Sequence, residues 1–339
     1  MIKNTFLAIA ACNLVGGFAY AQTNVTLYGI ADVSVRYESN TDTSTNSRVH
    51  MTDSATTQSR WGIKGTEDLG GGLKAVFQLE QGFSVDSGAQ SDPNRFFNRQ
   101  ALVGLQGNFG RVTVGRQYSL FFDFGLDFDP LGIANYNENS FYVGQQYTLR
   151  ADNMVKYATK VGGLKLGTSY ALGEQAGDNK KGRQLAGMAS YAMGAFAFGG
   201  AYQTETSLTN LTRSSWTVGA TYTADIYTIR ATYLNNDDKR MQGAHRQDNT
   251  YGIGTTVKVT PALALTGAAY YDRMKLSGQD GKRYVLVGLA EYSLSKKVLV
   301  YGAVDYTKVD GAALADLNTS TKVGLNDKRI NVGVGMRYV

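Results

Sequence analysis

The 339-residue chain has a single cysteine, Cys12. Everything after it lacks a thiol, which excludes a disulfide framework or a thiolate metal centre there. Proline is nearly as scarce: Pro93, Pro130 and Pro261 are all there is, and each falls between runs read below as strands. Proline cannot donate to a ladder, so its confinement to connectors suits strands paired on both sides. The only histidines, His50 and His245, stand in polar connectors, which leaves little material for a Ser-His-Asp triad or a multi-histidine metal site. Beyond residue 21 no apolar run approaches the roughly 18–20 residues of a spanning helix, so any membrane passage must be made by strands. The formal charge of +6 is scattered, without the basic block that nucleic-acid binding would use.

What is present begins with a leader. Lys3 precedes a mostly apolar run from Phe6 to Tyr20, and Ala19-Tyr20-Ala21 stands before Gln22. That is the layout of a cleavable secretory signal, with the cut between Ala21 and Gln22 and a single domain over residues 22–339. A competing box, Ile9-Ala10-Ala11-Cys12, resembles a lipoprotein cleavage site, but a cut there leaves an apolar region of only about seven residues, at the short end of what a signal needs.

Forty glycines and 22 tyrosines suit many strands joined by tight turns, with aromatics at membrane interfaces. From Thr26 to Tyr37 the residues alternate strictly: Leu27, Gly29, Ala31, Val33, Val35 and Tyr37 against Thr26, Tyr28, Ile30, Asp32, Ser34 and Arg36. Leu73, Ala75, Phe77, Leu79 and Phe83 likewise oppose Lys74, Gln78 and Glu80. One such segment would fit a soluble sandwich equally well.

The period-two reading continues through sixteen segments, near 25–37, 59–67, 73–83, 97–107, 111–116, 150–159, 164–172, 184–193, 196–204, 214–224, 227–234, 249–259, 263–274, 283–293, 298–308 and 329–339. Seven short connectors alternate with eight longer polar ones, as in an even, all-β, antiparallel transmembrane barrel with both termini on the short-turn side. A mean hydropathy of −0.25 agrees with strands that face lipid on one side and a wet lumen on the other. The longest connector, Gln117 to Thr148, mixes Phe121, Phe122, Phe124, Phe128, Tyr136, Phe141 and Tyr142 with Asp123, Asp127, Asp129 and Glu138. It would either fold inward, with aromatics as anchors, or lie across the mouth; side chains alone do not fill a barrel this wide.

Several stretches, in this order and spacing, are similar to the general porins of the β-proteobacterial (Neisseria, Bordetella and Burkholderia) type. They are Val25-Thr26-Leu27-Tyr28-Gly29, the run from Gly65 to Ala75 followed by Phe77-Gln78-Leu79-Glu80, Arg99 to Leu105, Gly110 to Gln117, and Asp152 to Tyr157. The resemblance implies a sixteen-stranded trimeric porin whose third loop folds into the barrel and which passes small hydrophilic solutes. Such a channel sits in the outer membrane of a Gram-negative bacterium, among outer-membrane lipid and lipopolysaccharide, and is inserted by the barrel assembly machinery. That machinery reads a terminal aromatic, commonly Phe, whereas this chain ends Tyr338-Val339, with Tyr338 on the apolar parity of Ile330, Val332, Val334 and Met336.

Alternation puts Arg36, Arg60, Lys64, Lys74, Arg150, Lys156 and Arg230 on the lumen face. Arg99 and Arg116 match the family's wall arginines but share parity with Ala101 and Val114, so they reach the pore only past a bulge or near a rim. A basic wall facing the acidic third loop would set a transverse field and give a weak anion preference, which the loop carboxylates would reduce or reverse. No catalytic residue, cofactor or metal is expected, since charged lumen loops account for Asp127 and Asp129. Two other functions fit the same fold: a binding or adhesion platform built on the outer loops, and a solute-selective channel with a ladder of lumen aromatics.

Overall fold

The computed structural model describes residues 24–40, 46–53, 55–132, 148–240, 243–314 and 326–339. The leader with Ala21 and Gln22, and the loop residues Tyr136, Glu138, Phe141 and Tyr142, lie outside the described residues. The strands are β1 (Asn24–Glu38), β2 (Arg48–Asp53), β3 (Arg60–Gly70), β4 (Leu73–Gly82), β5 (Gln100–Gly107), β6 (Gly110–Tyr118), β7 (Arg150–Val161), β8 (Leu164–Ala171) and β9 (Gln184–Met193). They continue as β10 (Phe196–Thr206), β11 (Thr212–Ala224), β12 (Tyr227–Asp238), β13 (Arg246–Lys258), β14 (Leu263–Leu276), β15 (Gln279–Ser293), β16 (Val298–Gly311) and β17 (Lys328–Tyr338). A helix, α1 (Leu120–Phe128), lies in the long connector.

All strands join one antiparallel sheet, and β1 pairs with β17 at the seam. Because β2 and β3 both pair with β1, they are two arms of one stave, and the barrel has the sixteen staves that the alternation predicts. Closure leaves no unpaired edge, which is what lipid demands of a spanning sheet.

The alternation sorts the side chains as expected. Leu27, Val103, Val218, Ile253, Leu286 and Val334 stand outward and exposed, while Asp32, Gln203, Thr217, Thr250 and Asn331 on the opposite parity are buried inside. Aromatic residues gather at the strand ends of the outer face. Trp216, Tyr233, Tyr251, Tyr271 and Tyr284 form a row across five strands, with neighbouring ring centroids 5.0–6.2 Å apart. Tyr191, Phe196 and Tyr222 mark the short-turn end. Two such girdles bracket an apolar band about 25 Å tall in outer-membrane barrels.

Within the first outer connector, between the segments predicted near 25–37 and 59–67, Arg48–Asp53 is a strand arm. Val49 and Met51 keep the outward parity there, opposite Tyr37 and Val35 of β1. Between the arms the chain turns inward onto Asp32, which is fully buried. The Asp32 carboxylate accepts from the backbone N–H of Thr56 (3.3 Å) and Thr57 (3.0 Å), from the Thr56 hydroxyl, and from the Tyr301 hydroxyl at 2.5 Å. Asp32→Ala strips four donors of their acceptor. We expect it to cost about 3 kcal/mol, since each unsatisfied buried group costs about 1–3. Urea unfolding in detergent should show the loss, and an unchanged midpoint would mean that the inward turn is not held by Asp32.

Strands also overrun their predicted outer ends. β12 extends to Asp238 and β13 begins at Arg246, because polar side chains pair across the ladder: Tyr233 donates to Asn249 at 2.6 Å and Asn236 to Asp248 at 2.7 Å. Those bonds offset the poor strand propensity of Asn and Asp. The expected polar connector between β14 and β15 shrinks to Ser277-Gly278, with φ of 50° and 86°. Positive φ at both central residues matches the hairpin turn whose twist fits the flanking strands.

Candidate functional site

Ser119 starts α1, its hydroxyl accepting the Phe122 N–H at 3.2 Å, as capping residues do for the first orphan amides. The helix folds into the barrel and packs along the inner wall of β8–β12. Leu120, Phe121, Phe124 and Phe128 are buried there in one apolar cluster with Ala186, Met188, Ala201, Leu234 and Tyr270. The wall makes room by lacking side chains. A Cβ on Gly219 would lie 2.7 Å from Phe128 Cβ, and one on Gly254 would lie 2.9 Å from Pro130 Cβ.

Asp123 and Asp127, four residues apart, share a helix face. Lys156 on β7 donates to Asp123 at 2.8 Å and Lys165 on β8 to Asp127 at 2.7 Å. Asp129 is buried and accepts from the Tyr270 hydroxyl at 2.9 Å. These three carboxylates are therefore fastened to the wall beside them and do not face the basic wall across open water. Aromatic packing brings the loop so close to β7 and β8 that its acids meet the nearest lysines first.

The remaining basic residues expected on the pore wall, with Arg111, fall into three groups. Arg60, Arg99 and Arg150 gather round Glu80 and Tyr118. Glu80 accepts from Arg99 at 2.8 Å and from the Tyr28 hydroxyl at 2.9 Å, with Arg60 Nε 3.6 Å away. Arg99 and Arg150 both donate to the Tyr118 hydroxyl, and the Arg150 guanidinium stands 4.4 Å from that ring's centre. Tyr118 in turn stacks on Phe122 of α1 at 4.0 Å, so this cationic cluster abuts the root of the loop. Arg99 precedes β5 and so escapes strand parity.

A second group is neutralised at the rim or in the wall. Arg36 donates to Asp305 at 2.8 Å, both buried. Arg116 lies where the β6–β7 register shifts between Gly115 and Gln117, and it bonds Asp152 at 2.7 Å, which Arg95 also contacts.

The third group stands without a carboxylate in ion-pair distance among the described residues. Lys64, Lys74 and Arg111 line one water-accessible cavity of about 720 Å³ in the short-turn half of the lumen, with Thr26, Tyr28 and Gln78 and the single carboxylate of Asp68. Lys64 Nζ stands 5.1 Å from the Tyr28 ring centre. Arg230, on the lumen parity of β12, likewise has no partner for its Nε. Arg111 and Lys165 were not singled out from the sequence, although the alternation carried both: Val112 and Val114 point out on β6, as do Leu164 and Leu166 on β8.

A closed strand barrel with an apolar girdled exterior, a polar lumen and a loop packed against its inner wall is an outer-membrane channel. The Gram-negative porin family model matches residues 7–312, and the chain belongs to that family. It is 30% identical to outer membrane porin protein 32 of Delftia acidovorans over 99% of both chains. It is 28% identical to an outer membrane porin protein of Bordetella pertussis, covering 99% of this chain and 100% of the other. Among solved structures, an anion-selective porin from Comamonas acidovorans superposes with a TM-score of 0.79 at 26% identity, over 94% of this chain and 99% of that one. OmpT of Vibrio cholerae in a trimer form, at 18% identity, covers 93% and 99% with a TM-score of 0.69 and shares the fold. The chain is thus a general diffusion channel of the Gram-negative outer membrane.

Proposed function

We propose that this porin prefers small anions, and that Lys64, Lys74 and Arg111 set the preference, with the Arg60, Arg99 and Arg150 cluster adding to it at the root of the third loop. One observation carries the reading: the described carboxylates of the third loop, Asp123, Asp127 and Asp129, are bound at contact distance to Lys156, Lys165 and Tyr270. An ion pair presents little net field a few ångströms away, whereas a lone lysine against a low-dielectric wall attracts anions into the lumen. The relative described as anion-selective has the same fold at 26% identity, which supports the same sign.

The channel works as a trimer embedded among lipopolysaccharide, inserted by the barrel assembly machinery. The trimer form of the OmpT neighbour supports the assembly. No residue here is assigned to catalysis. The test is a planar bilayer with the refolded protein under a potassium chloride gradient. We expect stepwise conductance, in steps of three, and a reversal potential of anion-preferring sign. A cation-preferring sign would overturn the assigned wall, and well-inserted protein that passes no current would overturn the diffusion reading.

A further inference from the structure

The lumen cavity that holds Lys64, Lys74 and Arg111 sets its cations in two places, and the ladder fixes how far apart they stand. On β4–β6, Lys74 faces Gln106 across one pair of strands and Gln106 faces Arg111 across the next. Lys74 and Arg111 therefore flank one neutral amide, about 10 Å apart at the backbone. Both long side chains can reach a single anionic group placed over Gln106. Lys64 stands away from them: it faces Gln78, which lies four residues along β4 from Lys74, a rise of about 13 Å.

The space between the two places is polar and open. Thr26 faces Lys64 across β1 and β3, and with Tyr28, Gln78 and Gln106 it lines the cavity of about 720 Å³. Lys64 and Lys74 are exposed to the lumen; Arg111 is half-buried, and its Nε has no acceptor among the described residues. Asp68 faces Lys74 in the register, but its Oδ1 accepts the Gly70 N–H at 2.8 Å. A monovalent anion fills one place and leaves the other. A short dianion does the same, since its charges sit together. A solute with an oxyanion at each end of a spacer of about 10 Å fills both at once.

We propose that this cavity is a two-point retention site for long dianions, solutes that carry a carboxylate or phosphate at each end. One end lies between Lys74 and Arg111, where the guanidinium fork takes two oxygens. The other lies at Lys64, whose Nζ is 5.1 Å from the Tyr28 ring centre. The site deepens the anion-preferring reading and rests on it. What it adds is a measure of length: a wall that only collects charge ranks solutes by charge, whereas this one ranks solutes of equal charge by the distance between their ends. Once one end is held, the second binds as an intramolecular step. Each end can release in turn, so the solute still leaves the channel.

The test is block of the single-channel chloride current in a planar bilayer by two pairs of potassium salts at equal ionic strength: malonate against suberate, and pyrophosphate against hexane-1,6-bisphosphate. We expect the long member of a pair to half-block the current at a concentration at least about ten-fold below that of the short one. A preference confined to one pair names the anionic end group; its absence from both overturns the site, and this comparison needs no variant to fold. Lys64→Gln removes one end and K74Q/R111Q the other. Either change should abolish the length preference, and combining them should cost no more than each alone, because a two-point site needs both ends. A length preference that survives in either variant would overturn the assigned ends. An anion-preferring reversal potential without a length preference sinks this inference alone, whereas a cation-preferring one sinks the reading beneath it.

Discussion

Changing Lys64, Lys74 and Arg111 together to glutamate is expected to give a cation-preferring channel, the reverse of the preference proposed for the wild type. These three side chains share one lumen cavity and, among the described residues, none is within ion-pair distance of a carboxylate. A unit charge acts on an ion 4 Å away with about 1 kcal/mol in water, roughly a five-fold change in local concentration, and with more where the low-dielectric wall excludes water. Reversing three such charges should carry the permeability ratio through unity and several-fold beyond it, read as a change of sign in the reversal potential. Salt sharpens the test. Screening shortens the reach of a charge from about 10 Å at 0.1 M to about 3 Å at 1 M, so both the native and the reversed preference should shrink at high salt. Glutamate at Arg36 is the contrast: it would face Asp305 in a buried site and cost stability, leaving the sign of selectivity alone. A triple variant that inserts, conducts and keeps the wild-type reversal potential would move selectivity away from this cavity, to the cluster round Glu80.

That contrast also shows what the sequence could and could not disclose. Period-two alternation is local, so it identified the sixteen staves, the outward apolar row and the lumen parity of Arg36, Lys64, Lys74 and Lys156. Which lumen charges remain unneutralised is not local. Arg36 meets Asp305 across 269 residues of chain, and Glu38 is bridged by Arg329 across 291. Both pairs form only when the seam between β1 and β17 closes. The same applies to Asp123 and Asp127, whose acidity was plain but whose lysine partners lie on strands that follow the loop. Asn235 to Asp238 read as a connector because their intrinsic strand propensity is poor, and only the partners on β13 make them a strand. At Arg99 parity failed for a different reason: the residue precedes its strand, and its direction is set by Glu80 and Tyr118.

Gly219→Leu should release the third loop from the wall and widen the channel. In β11 this position faces α1 so closely that even a Cβ would stand 2.7 Å from Phe128 Cβ, 2.9 Å from Phe128 Cγ and 3.2 Å from Phe124 Cζ. The two rings are stacked on each other at 4.5 Å and buried, so they have nowhere to retreat along the wall. Overpacking of this kind costs about 1–3 kcal/mol, and one or two kcal/mol is enough to shift a docked segment's population by about five- to thirty-fold. The strain falls on the loop because the alternative is to break the ladder of β11 with β10 and β12, which is paired along its whole length. Once α1 lifts, Asp123 and Asp127 part from Lys156 and Lys165, so a freed pair of carboxylates and a freed pair of lysines change the lumen field together with its width. Single-channel recording should show larger steps, more frequent fluctuation between levels and a weaker anion preference, with the barrel still folded. Gly267→Leu is the control, since nothing lies within 4 Å of a Cβ there and the position shares the lipid-facing parity of Leu265 and Ala269. Unchanged conductance in folded Gly219→Leu protein would show that the loop yields without undocking, and that its anchor is the apolar cluster around Leu120 and Phe121 at the other end of the helix.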